Sequence, residues 1–254
     1  MNELYDFELE KYRFDRNKLF KRLLQIANTK NTINLIEQKT IDKGTFLVKE
    51  NQHVTGFYFI LEGKIKVFNT GAQNKTQILK LASKGDIVGL SGFNSSYYWA
   101  SAIAEQNVEA YFITPKNLEI LLGLYNDFAL LLIKALAFKA RNYEIRQKHL
   151  SLFPATERII DSLLLIASKF GIKTSNGIFI EHCTSRKDIS SFASVSEANA
   201  IRTLRKLQEK EYITIAPKLI IIINKEALIN QLRKYCCPNK ITSTLNNCYV
   251  NSFY

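Results

Sequence analysis

The feature that most constrains this chain is a change of hydrophobic period partway along it. From Ile41 to about Ile113, apolar residues alternate in short runs separated by turns, the pattern of half-buried strands. "GFYFILEGKIKVFN" sets Phe57, Phe59 and Leu61, then Ile65 and Val67, at alternate positions around a Glu62-Gly63 turn. "TGAQNK" and "KGD" are further turns on either side of the strand "TQILKLAS". Several short strands at this spacing predict an antiparallel barrel or jelly roll. Ahead of them, residues 1–40 are polar and helix-prone, with Leu19, Leu23 and Ile26 at helical spacing. From Pro115 the period lengthens and helix is expected past Leu150. Phe128, Leu131, Ala135, Phe138, Asn142, Ile145 and His149 fall on the alternating three- and four-residue steps of an a/d seam. Such a seam predicts a helix coiled against a partner, with Asn142 as the polar residue that fixes register. A core helix packed on its own sheet is the competing reading of the stripe.

Pro154 suits the first turn of a new helix, "PATERIIDSLLLIASKFG", which Gly171 ends. A domain boundary is therefore expected near Ser151. Beyond it lies "SRKDISSFASVSEANAIRTLRKLQEKEYI". Ser185 with Asp188 three positions on is a capping box. Ile189, Phe192 and Ala193 give the first helix an apolar face. Ser196 can cap a second helix running to about Lys210, whose Ala200, Leu204 and Leu207 face inward. A short helix, a tight turn and a longer helix with a basic outer face is the helix-turn-helix design. "YITIAPKLIIIIN" adds two short strands around Ala216-Pro217-Lys218 as a wing. In the major groove, Arg202 can grip guanine O6 and N7, Glu197 can accept from a cytosine amino group, and Ile201 can touch a thymine methyl. Ser196, Asn199 and Arg205 are placed for phosphate. Ala198 on the same face and Arg186 on the first helix complete the expected DNA-binding set.

Charge agrees with that partner. Lys and Arg number 35 against 23 Asp and Glu, a net charge of +12 spread along the chain, which favours nucleic acid or an anionic surface. The cysteines, Cys183, Cys236, Cys237 and Cys248, show neither a disulfide framework nor zinc spacing and read as reduced thiols. His53, His149 and His182 match no metal motif. The strand region holds only His53, so a metal oxygenase built on the roll lacks its ligands, and no enzyme activity or cofactor is expected. The longest apolar runs, Phe128–Ile133 and Leu219–Ile223, are far short of the roughly 20 residues of a membrane span. The charged N-terminus lacks the apolar core of a signal peptide. A cytoplasmic protein without membrane contact is expected.

This order of parts resembles the Crp/Fnr family of bacterial transcription regulators over roughly residues 17–230. "IDKGTFLVKENQHVTGFYFILEGKIKVF" is similar to the family's opening strands, and "SEANAIRTLRKLQEKEYI" to its recognition helix, where Glu197, Ala198 and Arg202 fall on the usual base-reading positions. Ser194 departs from the glycine usual in the turn. The resemblance implies an α+β fold: an N-terminal antiparallel β-roll (jelly-roll-like), a long dimerisation helix and a C-terminal winged helix-turn-helix. The expected divisions are 1–114 for a cyclic-nucleotide-binding-type sensor domain with N-terminal helices, 115–150 for the dimerisation helix, 151–234 for the DNA-binding domain and 235–254 for a tail. Members that bind cyclic AMP hold its ribose with a glutamate and its phosphate with an arginine. Here "GDIVGL" keeps Gly85, Asp86 and Gly89, but Leu90 replaces the glutamate, and Tyr98 and Trp99 replace the arginine and its neighbour. A buried anion needs a paired charge or several donors, so cyclic AMP is not expected to bind. Tyr97, Tyr98 and Trp99 either fill the emptied pocket with Gly89 and Leu90 or floor a pocket for an apolar ligand. The family's iron–sulfur sensors carry an N-terminal cysteine cluster, and no cysteine precedes Cys183. The expected partners are double-stranded DNA, a second copy of the chain, RNA polymerase as a further candidate, and an unknown small-molecule effector or none. The alternative is a ligand-responsive regulatory module whose helix-turn-helix serves protein contact.

Overall fold

The structure is a computed structural model that describes residues 16–32, 34–233 and 235. The polar segment before Arg16 and the thiols of Cys236, Cys237 and Cys248 lie outside the described residues. Helix α1 (Arg16–Ala27) buries Leu19, Leu23 and Ile26, the three residues at helical spacing. Eight strands follow: β1 (Glu37–Ile41), β2 (Phe46–Val48), β3 (Phe57–Glu62), β4 (Ile65–Thr70), β5 (Thr76–Ala82), β6 (Ile87–Val88), β7 (Ser101–Ala104) and β8 (Val108–Ile113). They form two antiparallel sheets, in the orders β1-β8-β3-β6 and β2-β7-β4-β5.

Alternation along β3 does not separate core from solvent, because both of its faces are buried. Tyr58 and Ile60 point between the two sheets, among Ile65, Val67, Ala102 and Val108. Phe57 and Phe59 point the other way, under α1 and the helices that follow, among Leu23, Ile113 and Phe128. The β3–β4 turn carries Gly63 at φ +113°, and a Cβ there would lie 2.8 Å from the Asn107 carbonyl oxygen, so the turn requires glycine.

The helical stretch expected over 115–150 is two helices. Thr114 Oγ1 accepts from Asn117 N and Pro115 opens α2 (Pro115–Leu124). Tyr125 leaves helical geometry, and α3 (Asn126–Leu152) departs at a bend of 118°. No single described helix is long and apolar enough to cross a membrane.

The a/d stripe of α3 also differs from the expected partner seam. Phe128 and Ala135 are buried in the chain's own core, with Leu131 packed partly against it, over the β1-β8-β3-β6 sheet. Phe138, Asn142 and Ile145 are half-buried, and His149 is buried against α4 (Ala155–Phe170) of the same chain. The stripe is thus covered within the chain at Phe128, Ala135 and His149, while Leu131, Phe138, Asn142 and Ile145 keep part of their surface open. The opposite side of α3 carries Leu130, Ile133 (63% exposed), Leu136 and Tyr143 in the open, with Ala137 and Ala140 between them.

After α4 come β9 (Ile172–Thr174), β10 (Gly177–Ile180), α5 (Arg186–Ala193), α6 (Glu197–Glu209), β11 (Ile213–Ala216), β12 (Leu219–Ile222) and α7 (Lys225–Arg233). The wing is part of a four-stranded antiparallel sheet, β11-β12-β10-β9. Gly171 ends α4 in an extended conformation rather than a left-handed one. A Cβ there would meet the Ala167 carbonyl oxygen at 2.3 Å, so close packing demands this glycine.

Candidate nucleic-acid interface and sensor pocket

Side-chain caps at both helix starts set up the helix-turn-helix. Ser185 Oγ accepts from Asp188 N (2.9 Å), and Ser196 Oγ accepts from Asn199 N (3.3 Å). Ile189, Phe192 and Ala193 of α5 and Ala200, Leu204 and Leu207 of α6 are buried against α4 and the small sheet. That inward stripe turns the remaining face of α6 outward: Ser196, Glu197, Ala198, Ile201, Arg202 and Arg205 are exposed and Asn199 is half-buried. Arg186, at the first position of α5, is half-buried. Ser194 sits at φ 52°, ψ 47°, the left-handed turn where glycine would be unstrained. Exposed Lys206 and Lys210 continue the basic face, and Lys218 stands at the exposed wing tip with φ +59°. Beyond their charge, no local pattern marks Lys206 and Lys210 as part of this face.

Of the residues expected around an effector pocket, Gly89 and Tyr98 come together, and Leu90, Tyr97 and Trp99 turn elsewhere. Tyr98 fills the inside of the roll, 5% exposed among Val48, Tyr58 and Ala102. Its hydroxyl donates to the Gly56 carbonyl (2.7 Å) and accepts from the amides of Thr55 and Gly56 (3.0 Å each). Gly89, at φ +85°, leaves room for the ring, since a Cβ there would lie 3.3 Å from Tyr98 Cε1. Leu90 turns out of the roll into the apolar cluster beneath α1 and α3. Tyr97 packs against His53 with the rings tilted by 31° and their centres 4.6 Å apart, and Trp99 is 70% exposed. Of the three aromatics, only Tyr98 fills the pocket and none floors one. Tyr98→Phe would strand the buried carbonyl and amide of Gly56 and free the part-buried amide of Thr55. It should lower stability by about 2 kcal/mol, read as a melting temperature lower by roughly 4–8 °C. An unchanged melting curve would mean the hydroxyl is not what closes the roll.

Polar contacts also fasten the DNA-binding unit to the roll, and no sequence pattern pointed to them. Strand β5 is a sheet edge, and α5 covers it: Ser191 Oγ accepts from Ile78 N (3.0 Å) and donates to the Thr76 carbonyl (2.7 Å). Lys66 Nζ lies 3.0 Å from both Asp188 and Glu105. Burial disfavours this ammonium, but hydrogen bonds and charge from Asp188 and Glu105 outweigh it and leave the pKa raised. At the end of α3, Arg146 pairs with the fully buried Asp161 and donates to Ser162 Oγ (3.1 Å) and the Phe192 carbonyl. His149 Nδ1 meets the other Asp161 oxygen at 3.0 Å, and its ring stacks on Phe153.

Comparison with known proteins agrees with this architecture. A family model for the cyclic nucleotide-binding domain matches residues 38–124, and one for the Crp-like helix-turn-helix domain matches residues 157–230. The chain is 24% identical over 207 residues to the anaerobic regulatory protein of Bacillus subtilis, covering 80% of this chain and 87% of that protein. It is 24% identical over 196 residues to the fumarate and nitrate reduction regulatory protein of Escherichia coli K12, covering 77% and 78%. Among solved structures, FixK2 from Bradyrhizobium japonicum superposes with a TM-score of 0.65 at 19% identity, over 77% of this chain and 96% of that one. A CRP-family transcriptional regulator from Thermus thermophilus superposes with a TM-score of 0.67 at 17% identity, over 76% and 95%. With a β-roll, a helical connection and a capped helix-turn-helix in this order, the chain belongs to the Crp/Fnr family of transcription regulators.

Proposed function

We propose that the protein regulates transcription as a homodimer that reads a roughly palindromic operator, with α6 of each protomer in the major groove. The observation that carries this reading is the division of α6 into a buried stripe and an exposed face bearing Glu197, Ile201, Arg202 and Arg205. Arg202 reads guanine; Arg205 and the capping turn at Ser196 hold phosphate. The second copy docks on the open apolar face of α3 around Ile133 and Leu136. The sensor roll does not take cyclic AMP, because Tyr98 occupies its interior and neither Leu90 nor Trp99 brings a charge to it.

Two arginine variants, each measured on operator and random DNA at two salt concentrations, test the reading. A bidentate arginine–guanine pair is worth about 1–3 kcal/mol of discrimination. Arg202→Ala should weaken operator binding about 10- to 100-fold and leave random DNA nearly unaffected. Arg205→Ala should weaken both alike and reduce the salt slope by about one. If Arg202→Ala loses affinity equally on both DNAs, Arg202 is a backbone contact and specificity lies elsewhere on α6.

A further inference from the structure

Helix α5 does not hang free below α3; it is laid along the roll. Ile78 and Leu81 of β5 are buried in the same apolar cluster as Ile189 and Phe192 of α5. Polar contacts then hold α5 at its start, middle and end. Asp188, in its first turn, pairs with Lys66 of β4 (3.0 Å), which also meets Glu105 (3.0 Å). Ser191 donates to the Thr76 carbonyl (2.7 Å) and accepts from the Ile78 amide (3.0 Å). Ser194, at the left-handed turn, donates to Gln77 Oε1 (2.8 Å). Contacts at successive heights along an eight-residue helix oppose both sliding along β5 and rotation about its own axis. Because α6 shares this core through Ala200 and Leu204, its direction is inherited from the seat of α5.

The roll is in turn carried on α3, where Phe128 and Ala135 are buried with Phe57 and Phe59 of β3. The covalent route from α3 to α6 leaves helical geometry at Phe153 and Pro154, beside the contacts of Arg146 and His149 with Asp161 of α4. A single pivot of this kind lets a helical unit turn about it, and a second attachment away from the pivot stops the turn. The seat on β5 is that second attachment. Resting on the symmetric-dimer reading above, we propose that Lys66, Asp188 and Ser191 are positioning residues for operator spacing. By seating α5 on β5 they set the distance and twist between the two copies of α6, and so the half-site spacing the dimer accepts. One base pair more or less between the half-sites moves them by about 3.4 Å and turns them by about 35° around the duplex. A rigid pair of α6 helices cannot follow both changes, so one protomer loses its half-site and the gain from joint engagement goes with it. Spacing specificity thus lies in residues outside α6 that touch no base.

The test measures binding of the full chain to an operator selected from genomic DNA and to copies with one base pair added or removed at its centre. Wild type should bind the altered copies about 100-fold more weakly than the original. In Lys66→Met with Ser191→Ala that preference should shrink to less than about tenfold, while Lys66→Arg, which keeps the charge, should retain it. A role limited to stability would weaken binding to all three DNAs alike and leave the preference unchanged. Should the double variant not fold, Lys66→Met alone should reduce the preference severalfold. Without DNA, hydrogen exchange of the β5 segment should be faster in Lys66→Met than in wild type, because the Ile78 amide loses Ser191 whenever α5 lifts from β5. Unchanged exchange, a wild type indifferent to spacing, or a double variant with the wild-type preference overturns the proposal and leaves the dimer reading standing. A wild type that holds the operator no more tightly than random DNA overturns that reading and the spacing role with it.

Discussion

Asp161→Ala is expected to lower stability by about 3–5 kcal/mol, the largest effect of a single substitution anticipated in this chain. Asp161 is fully buried and its two oxygens serve different partners, Arg146 on one and His149 on the other. Removing it leaves the Arg146 guanidinium in a nearly closed environment without a counter-charge. Loss of one partner of a buried pair costs far more than the net worth of the pair, because the surviving charge stays desolvated. Arg146 keeps its bonds to Ser162 and the Phe192 carbonyl and its position 4.5 Å over the Phe192 ring, which limits the loss. Urea unfolding with far-ultraviolet circular dichroism measures the change; a loss below about 1 kcal/mol would show that the joint between α3 and α4 rests on apolar packing alone.

Ile133→Asp with Leu136→Asp is expected to leave each protomer folded while abolishing the dimer. Both side chains are solvent-exposed in the protomer, so the change costs it little. In a dimer they would be covered, and four carboxylates would be buried across the two copies without partners. Operator binding should then fall at least about 100-fold, because each half-site would be held without the effective concentration supplied by its neighbour. Sedimentation velocity at micromolar concentration should show a dimer for the wild type and a monomer for the variant. A wild-type monomer, or a variant that still dimerises, would remove this face from the account. Leu131→Asp at the a/d position makes the contrast: Leu131 packs partly against the chain's own core, so its substitution should lower stability.

The periodicities made the layout of the fold legible, and the places where they misled have physical causes. The helix break at Tyr125 was invisible because Leu118, Leu121, Phe128, Leu132 and Ala135 all bury in one cluster at spacings a straight helix would also produce. The same stripe suited both an intramolecular and an intermolecular seam, and spacing alone does not say which surface covers it. Strands β9 and β10 are short, with β9 exposed throughout, so they carry little hydrophobic signal. In the helix-turn-helix, legibility came from local chemistry: Ser185 with Asp188 and Ser196 with Asn199 declare two helix starts, and the buried positions then dictate the outer face. The sensor pocket could not be read the same way. Tyr97, Tyr98 and Trp99 are consecutive and chemically alike, yet one packs against a histidine, one is buried and one is exposed. Backbone direction in an irregular segment decides that. The contacts between Lys66 and Asp188, and between Ile78 and Ser191, join residues more than a hundred positions apart, and no local pattern encodes them.

The central claim is that α6 reads DNA sequence from a symmetric dimer, and selection from fragments of genomic DNA with the purified protein tests it most directly. Enrichment of one motif with two inverted half-sites whose centres lie about 34 Å apart, one helical turn, is expected. A guanine in each half-site should lose its preference in Arg202→Ala. Failure to enrich any sequence above random DNA, or enrichment of a motif without inverted symmetry that Arg202→Ala leaves unchanged, would contradict it.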